Sequence, residues 1–201
     1  MLELEVGGGS GSGNDMDTIA RDVLNGGLVD NGSTSSSSWW NLLFHTYYIL
    51  QAIRGCSGGL GLAKLGNETC PIAVVQDSNE LSQGLPVTIS SPYRIANIYQ
   101  GLTLSMTFNS EPSCAPTSSW RVVETQEGWS MKTSANQQDI VPGWFKIQQY
   151  YGDYKLVFCP QYGFGCSNLG VYNDEDGNRR FVVNSERPLA VTFKSVDFSA
   201  I

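Results

Sequence analysis

Leu102-Thr-Leu-Ser-Met-Thr-Phe108, Trp120-Arg-Val-Val-Glu124, Trp129-Ser-Met-Lys-Thr133 and Phe145-Lys-Ile-Gln-Gln-Tyr150 follow one another as short runs of alternating or β-rich residues. Pro112, Pro116, Gly128 and the pair Pro142-Gly143 separate them. Alternation matches the two-residue period of a strand with one face in a core. Pro and Gly punctuate such runs, because Pro has no backbone donor and Gly reaches conformations closed to other residues. The same rhythm lies on both sides. Before it come Tyr47 to Gln51, Gly59 to Lys64, Ala73 to Gln76 and Pro86 to Ser90; after it come Tyr154 to Cys159, Leu169 to Asn173, Arg180 to Asn184 and Leu189 to Phe193. Glu175-Asp176-Gly177-Asn178 is a hairpin signal between two of the later runs, since Asp and Gly tolerate the positive φ of a tight turn. No block reads as a helix.

Twelve strands in three sets of four, with set starts roughly 50 residues apart, imply a three-fold repeat rather than an open meander. A closed barrel built from three four-strand units, a β-trefoil, removes the edges that an antiparallel sheet must otherwise protect. The expected fold is therefore all-β. Composition agrees: 41% of the 201 residues are hydrophobic and 15% charged, with 22 Gly, which suits short strands and many turns.

A net charge of -7 with 12 basic residues argues against a nucleic-acid partner, whose phosphates draw affinity from clustered Lys and Arg. No run of 18 apolar residues occurs, so no membrane-spanning helix is expected. Residues 1–20, with the Gly/Ser stretch Gly7 to Gly13, read as a flexible tag or linker outside the fold and carry no secretory signal pattern. Residues 21–201 read as one domain. Within it, Ser35 to Thr46, a Ser tract followed by Trp39, Trp40 and Phe44, is an atypical insertion that fits neither strand nor turn.

The five cysteines are Cys56, Cys70, Cys114, Cys159 and Cys166, and with a single His their spacing matches no zinc pattern. No metal or other cofactor is expected. Cys159 and Cys166 flank a short turn-rich loop, so a local bridge is the natural pairing; Cys70 and Cys114 would then close a long loop and Cys56 would be a free thiol in a Gly-rich turn. Five reduced, buried thiols are the alternative. The sequons Asn31-Gly-Ser33 and Asn67-Glu-Thr69 lean toward a secretory route, and a secreted or vacuolar location is the expectation.

Ser90-Ser91-Pro92-Tyr93-Arg94-Ile95 follows a strand-like run and lies between Cys70 and Cys114 in the chain. One Arg flanked by Pro and Ser in a loop is what a trypsin-like protease cuts; taken alone, the same short peptide is far more often an ordinary solvated loop. An enzyme is not expected, because a nucleophile needs a placed base, His45 is the one His, and no G-x-S-x-G elbow occurs. Asp174, Glu175 and Asp176 sit in a turn and read as solvated charges. Trp129, Trp144 or Tyr162 could stack on sugars, although Trp in a strand is more often core. A seed storage or carbohydrate-binding trefoil without protease inhibition is thus the alternative function.

Tyr47-Tyr-Ile-Leu50, Gly58-Gly-Leu60, Cys70-Pro-Ile-Ala-Val-Val-Gln76, Asn79-Glu-Leu81, Ser90-Ser-Pro-Tyr-Arg-Ile95, Gly143-Trp-Phe-Lys-Ile147, Tyr154-Lys-Leu-Val-Phe-Cys-Pro160, Leu169-Gly-Val171 and Arg179-Arg180 followed by Val182-Val183 stand in this order. Together they resemble the soybean-type Kunitz serine protease inhibitors of plant seeds, from about Val23 to Phe193. The resemblance implies a β-trefoil, disulfides Cys70 to Cys114 and Cys159 to Cys166, and a reactive bond between Arg94 and Ile95. Ser90, Ser91 and Ile95 would then fill neighbouring subsites, Pro92 and Tyr93 would complete the reactive loop with Pro92 keeping it extended, and Ala96 and Asn97 would lie on the leaving side. It also implies that Asn31 props this loop from inside and that the partner is a trypsin-like serine protease; a monomer is expected. The insertion at 35–46 and Cys56 depart from the family pattern.

Overall fold

In the segment Gly143–Tyr150, Phe145 and Ile147 are buried while Trp144, Lys146 and Gln148 are turned toward solvent or its margin. This is the pleat acting on a period-two sequence, and it recurs along the chain. The computed structural model describes residues 45–53, 55–93, 98–163, 165–183 and 186–196. The strands are β1 (His45–Gln51), β2 (Leu60–Ala63), β3 (Ala73–Gln76), β4 (Val87–Ser90), β5 (Ser105–Phe108), β6 (Arg121–Thr125), β7 (Gly128–Lys132), β8 (Ile140–Val141), β9 (Gly143–Tyr150), β10 (Asp153–Pro160), β11 (Ser167–Asn173), β12 (Arg179–Val183) and β13 (Val191–Ser195).

Six of them close a ring. β1 pairs with β4, β4 with β5, β9 with β10, β10 with β13 and β13 with β1, all antiparallel. The sixth junction, β5 to β9, is the bridge Leu104↔Phe145, whose backbones exchange hydrogen bonds of 2.9 and 3.1 Å. The hairpins β2–β3, β6–β7 and β11–β12 form a second layer, tied together by Ala73↔Lys132, Arg180↔Val75 and Val182↔Ser130. Each quartet gives two strands to the ring and one hairpin to the cap. The protein is a β-trefoil.

The core sits where ring and cap meet. Trp120 packs on Phe108, Phe145 and Phe181, with ring centroids 5.3, 6.1 and 5.9 Å apart, so residues from quartets two and three share one aromatic cluster. Ile49, Val87, Ile89, Ile147, Leu156 and Leu169 are among the other residues of the same core. The Trp120–Phe181 contact makes quartets two and three interdependent, because apolar surface of one is buried against the other.

Two expectations need correction. Among the described residues the strands number thirteen, not twelve: Ile140–Val141 follows a 3-10 turn at Gln137–Asp139 and pairs with Val123 and Val122 of β6. It stops at Pro142, which has no donor with which to extend the ladder. β1 also begins at His45 rather than Tyr47, since His45 and Thr46 register against Ile89 and Thr88. The last two residues of the expected insertion therefore belong to the barrel; residues 35–44 lie outside the described residues.

Gly143 has a steric reason. A Cβ there would lie 2.4 Å from Phe158 Cζ and 2.5 Å from the Cys159 carbonyl oxygen, so the β9–β10 approach excludes any side chain.

Candidate functional site

The loop between β4 and β5 begins from a firm base. Val87 and Ile89 of β4 and Met106 and Phe108 of β5 point inward and are buried, while Thr88↔Thr107 and Ser90↔Ser105 pair on the outer face. After Ser90 the ladder ends. Pro92 and Tyr93 are exposed, Tyr93 at 64%, and the Tyr93 N–H donates to Ser91 Oγ at 3.2 Å. Pro92 fixes its own φ, and the Ser91 hydroxyl closes a small local turn, so the outgoing leg gives up chain freedom before any partner arrives.

The returning leg is bound more tightly. Ile98 is 5% exposed and joins the core cluster. Gly101, at φ 77°, donates its N–H to the Ile147 carbonyl at 3.0 Å, and Leu104 makes the ring-closing bridge. Residues 90–97 are thus flanked in the chain by two buried side chains, Ile89 and Ile98. Arg94, Ile95, Ala96 and Asn97 lie outside the described residues, as does Asn31. Ser90, Ser91, Pro92 and Tyr93 are described, and the last two are exposed beside that stretch.

Cys70 and Cys114 are bridged, with Cα atoms 5.8 Å apart, and Cys159 is bridged to Cys166. Although Arg94 falls inside the Cys70 to Cys114 span, that bridge is not beside the loop. β5 runs from the loop end to Phe108, and Cys114 follows it on the connection to β6, so the bridge staples the opposite end of the β4–β5 hairpin. Cys159–Cys166 closes the β10–β11 hairpin, where Gln161 N–H donates to the Pro142 carbonyl at 2.8 Å. Cys56 is unpaired and exposed.

Among the described residues, charged side chains tie the cap together. Lys132 Nζ meets Glu68 at 2.6 Å, Arg180 pairs with Glu127 and donates to Ser130 Oγ, and Arg179 donates to Gln76 Oε1 at 2.7 Å. Gln76 in turn reaches Gln51 and the Gly58 carbonyl. These bonds explain Arg179-Arg180 as struts between hairpins. The Asp77 carboxyl is held below its usual range chiefly by the Asn79 backbone N–H, with help from the Ser82 hydroxyl, and burial raises the Tyr47 phenol. Both shifts belong to scaffolding. Of the aromatics considered for sugar stacking, Trp129 packs edge-on to Phe158, whereas Trp144 and Tyr162 are 42% and 79% exposed.

Sequence reasoning missed Ile98 and Gly101. A lone Ile among polar and aromatic residues has no period, and its burial depends on the return path of the chain.

A β-trefoil whose β4–β5 link is flanked by core residues on both sides, Ile89 and Ile98, defines a class: trefoil scaffolds with a long link between their first two quartets. The model of one family, described as trypsin and protease inhibitor, matches residues 42–195. The chain is 36% identical over 192 residues to trypsin inhibitor 1B of Erythrina variegata, covering 92% of this chain and 99% of that one. It is 43% identical over 165 residues to trypsin inhibitor A of Glycine max, covering 76% and 75%. The solved complex of porcine pancreatic trypsin with soybean trypsin inhibitor matches at TM-score 0.70 and 43% identity, covering 76% of this chain and 92% of that one. The chain belongs to the legume Kunitz family of trypsin and protease inhibitors. It is an inhibitor and not an enzyme.

Proposed function

We propose that the chain inhibits a trypsin-like serine protease by offering the Arg94–Ile95 bond in the β4–β5 loop. The observation that supports this best is the burial of Ile89 and Ile98 on either side of the segment that carries Arg94 and Ile95. In this reading the Arg94 guanidinium enters a pocket with an acidic residue at its base, which selects a long cation. The protease Ser oxygen attacks the Arg94 carbonyl carbon, the bond to the Ile95 nitrogen breaks, and that nitrogen takes up a proton to become an amine. Ile98 holds the new amine close, so it can lose its proton, attack the acyl carbon again and expel the Ser oxygen before water does. Affinity comes from the small ordering loss of a loop fixed by Pro92 and its anchors. Asn31 is proposed to support the loop from within.

The test is titration of trypsin with the wild-type chain, Arg94→Ala and Asn31→Ala. Removing the anchor side chain is expected to weaken inhibition about 1,000-fold or more, roughly 4 kcal/mol, as for a dominant interface residue. Asn31→Ala is expected to bind and then be cleaved progressively at Arg94. Equal potency of Arg94→Ala and wild type would refute the assignment of the bond.

A further inference from the structure

The sequon Asn67-Glu68-Thr69 is not used by protease inhibition, and its setting in the fold is specific. It lies in the connection from β2 to β3, where Glu68 N–H donates to the Leu65 carbonyl at 3.0 Å and closes a turn over Leu65-Gly66-Asn67-Glu68. Asn67 and Thr69 are exposed, while Glu68 is folded back, its carboxylate bound to the Leu65 N–H and to Lys132. The acceptor and the hydroxyl thus face solvent, and the intervening acid is neutralised on the protein side. A bulky, hydrated modification on Asn67 would displace no packed group.

The timing is also permissive. Cys70, three residues on, is bridged to Cys114, which lies 44 residues further along the chain. When Asn67 first emerges into an oxidising lumen, its segment has no partner with which to be locked away.

Position decides compatibility with inhibition. Cys70 and Cys114 mark the end of the β4–β5 hairpin opposite the loop 91–104, and Asn67 belongs to that end. We infer that Asn67 is an N-glycosylation site whose glycan projects from the cap, away from the protease-facing loop. In the reaction the Asn67 side-chain amide nitrogen forms a bond to the anomeric carbon of a polyprenyl-diphosphate-linked oligosaccharide. The carbon–oxygen bond to the diphosphate breaks, the lipid diphosphate leaves, and the amide gives up one proton to solvent. No oxidant is needed. The inference rests on passage through the secretory pathway, which two disulfides favour.

The experiment is translation of the full chain behind a cleavable secretory leader in the presence of microsomes, scoring protease-protected protein alone, so that the route itself is supplied. Wild type, Asn31→Gln and Asn67→Gln are compared. A mobility shift removed by peptide-N-glycosidase is expected in wild type and Asn31→Gln, with the shift assigned to Asn67 lost in Asn67→Gln. Peptide mass is expected to show Asn67 converted to Asp on enzymatic release. Glycosylated chain and Asn67→Gln are expected to inhibit trypsin within about twofold of each other, as befits a surface change remote from the contact. Unmodified Asn67 in the protected chain would overturn the site. Occupied Asn67 that weakens inhibition relative to Asn67→Gln would overturn its placement. Loss of inhibition in both forms alike counts against the Arg94 reading alone, because site occupancy is read by mass.

Discussion

Two links join one quartet of strands to the next at the same end of the barrel, and they could hardly differ more. Between β9 and β10 the link is Tyr151 and Gly152, at φ 48° and 89°, inside a continuous ladder from Tyr150↔Asp153 to Gly143↔Pro160. Between β4 and β5 the chain takes residues 91–104 to cover the corresponding step. The fold closes this corner with two residues, so the length of the other link is not required by the barrel. Extra length is cheap, because loop-closure entropy grows slowly with chain length. The return leg of the long link is fastened by Ile98, the Gly101 N–H to Ile147 and the Leu104 bridge.

The comparison breaks if both links contact the protease. Truncating Arg94 is expected to abolish tight inhibition as stated above, whereas Tyr151→Ala, although Tyr151 is 92% exposed, should leave the inhibition constant within about twofold. A comparable loss at Tyr151 would make the short link part of the interface. Next in size is the paired change Cys70→Ser with Cys114→Ser. Opening a loop of 44 residues is expected to lower stability by about 4 kcal/mol in denaturant titration, yet leave trypsin affinity of the folded fraction nearly unchanged, since the bridge lies at the far end of the hairpin. Weakened affinity in protein still folded would show that the bridge tensions the loop directly.

Gly143→Ala tests the tight side. Its methyl would collide with Phe158 and the Cys159 carbonyl, and a loss of about 2 to 3 kcal/mol is expected from chemical denaturation. Tyr151→Asn should act in the opposite sense. Asn tolerates positive φ better than Tyr, so a gain of about 0.5 to 1 kcal/mol is expected as a raised melting temperature; a fall would mean that the Tyr150–Tyr151 ring contact at 4.7 Å matters more than the backbone. The smallest effect concerns Asp77. Its folded pKa is depressed, so its contribution is present above the unfolded carboxylate range and is lost as pH falls through the folded value. Asp77→Asn should therefore reduce the acid sensitivity of unfolding slightly below about pH 4, and leave that region unchanged if the Asn79 and Ser82 bonds are immaterial.

Much of this was legible in the chain. Every expected strand is present, because alternation such as Val87-Thr-Ile-Ser90 or Ser105-Met-Thr-Phe108 is a local record of which face is wet. Ile140–Val141 escaped notice because two apolar residues before a Pro have no period to read. At the loop, the Pro, the Tyr and the Arg announce themselves by type, while Ile98 and Gly101 do not. Their importance depends on β9, which lies more than forty residues further along the chain. The placement of Cys70–Cys114 was also hidden. Spacing says which segment a bridge spans, not which end of a hairpin it reaches.

By itself, then, the sequence determined the strand content, the three-fold grouping and a basic peptide between the first two groups, since these follow from period, punctuation and residue chemistry within a few neighbours. The tertiary structure alone decided that six strands close through Leu104↔Phe145, that Trp120 joins Phe108, Phe145 and Phe181, and that Ile89 and Ile98, on either side of the peptide, are buried in the core. Those are long-range pairings, and a period of two says which way a side chain points without saying what it will meet.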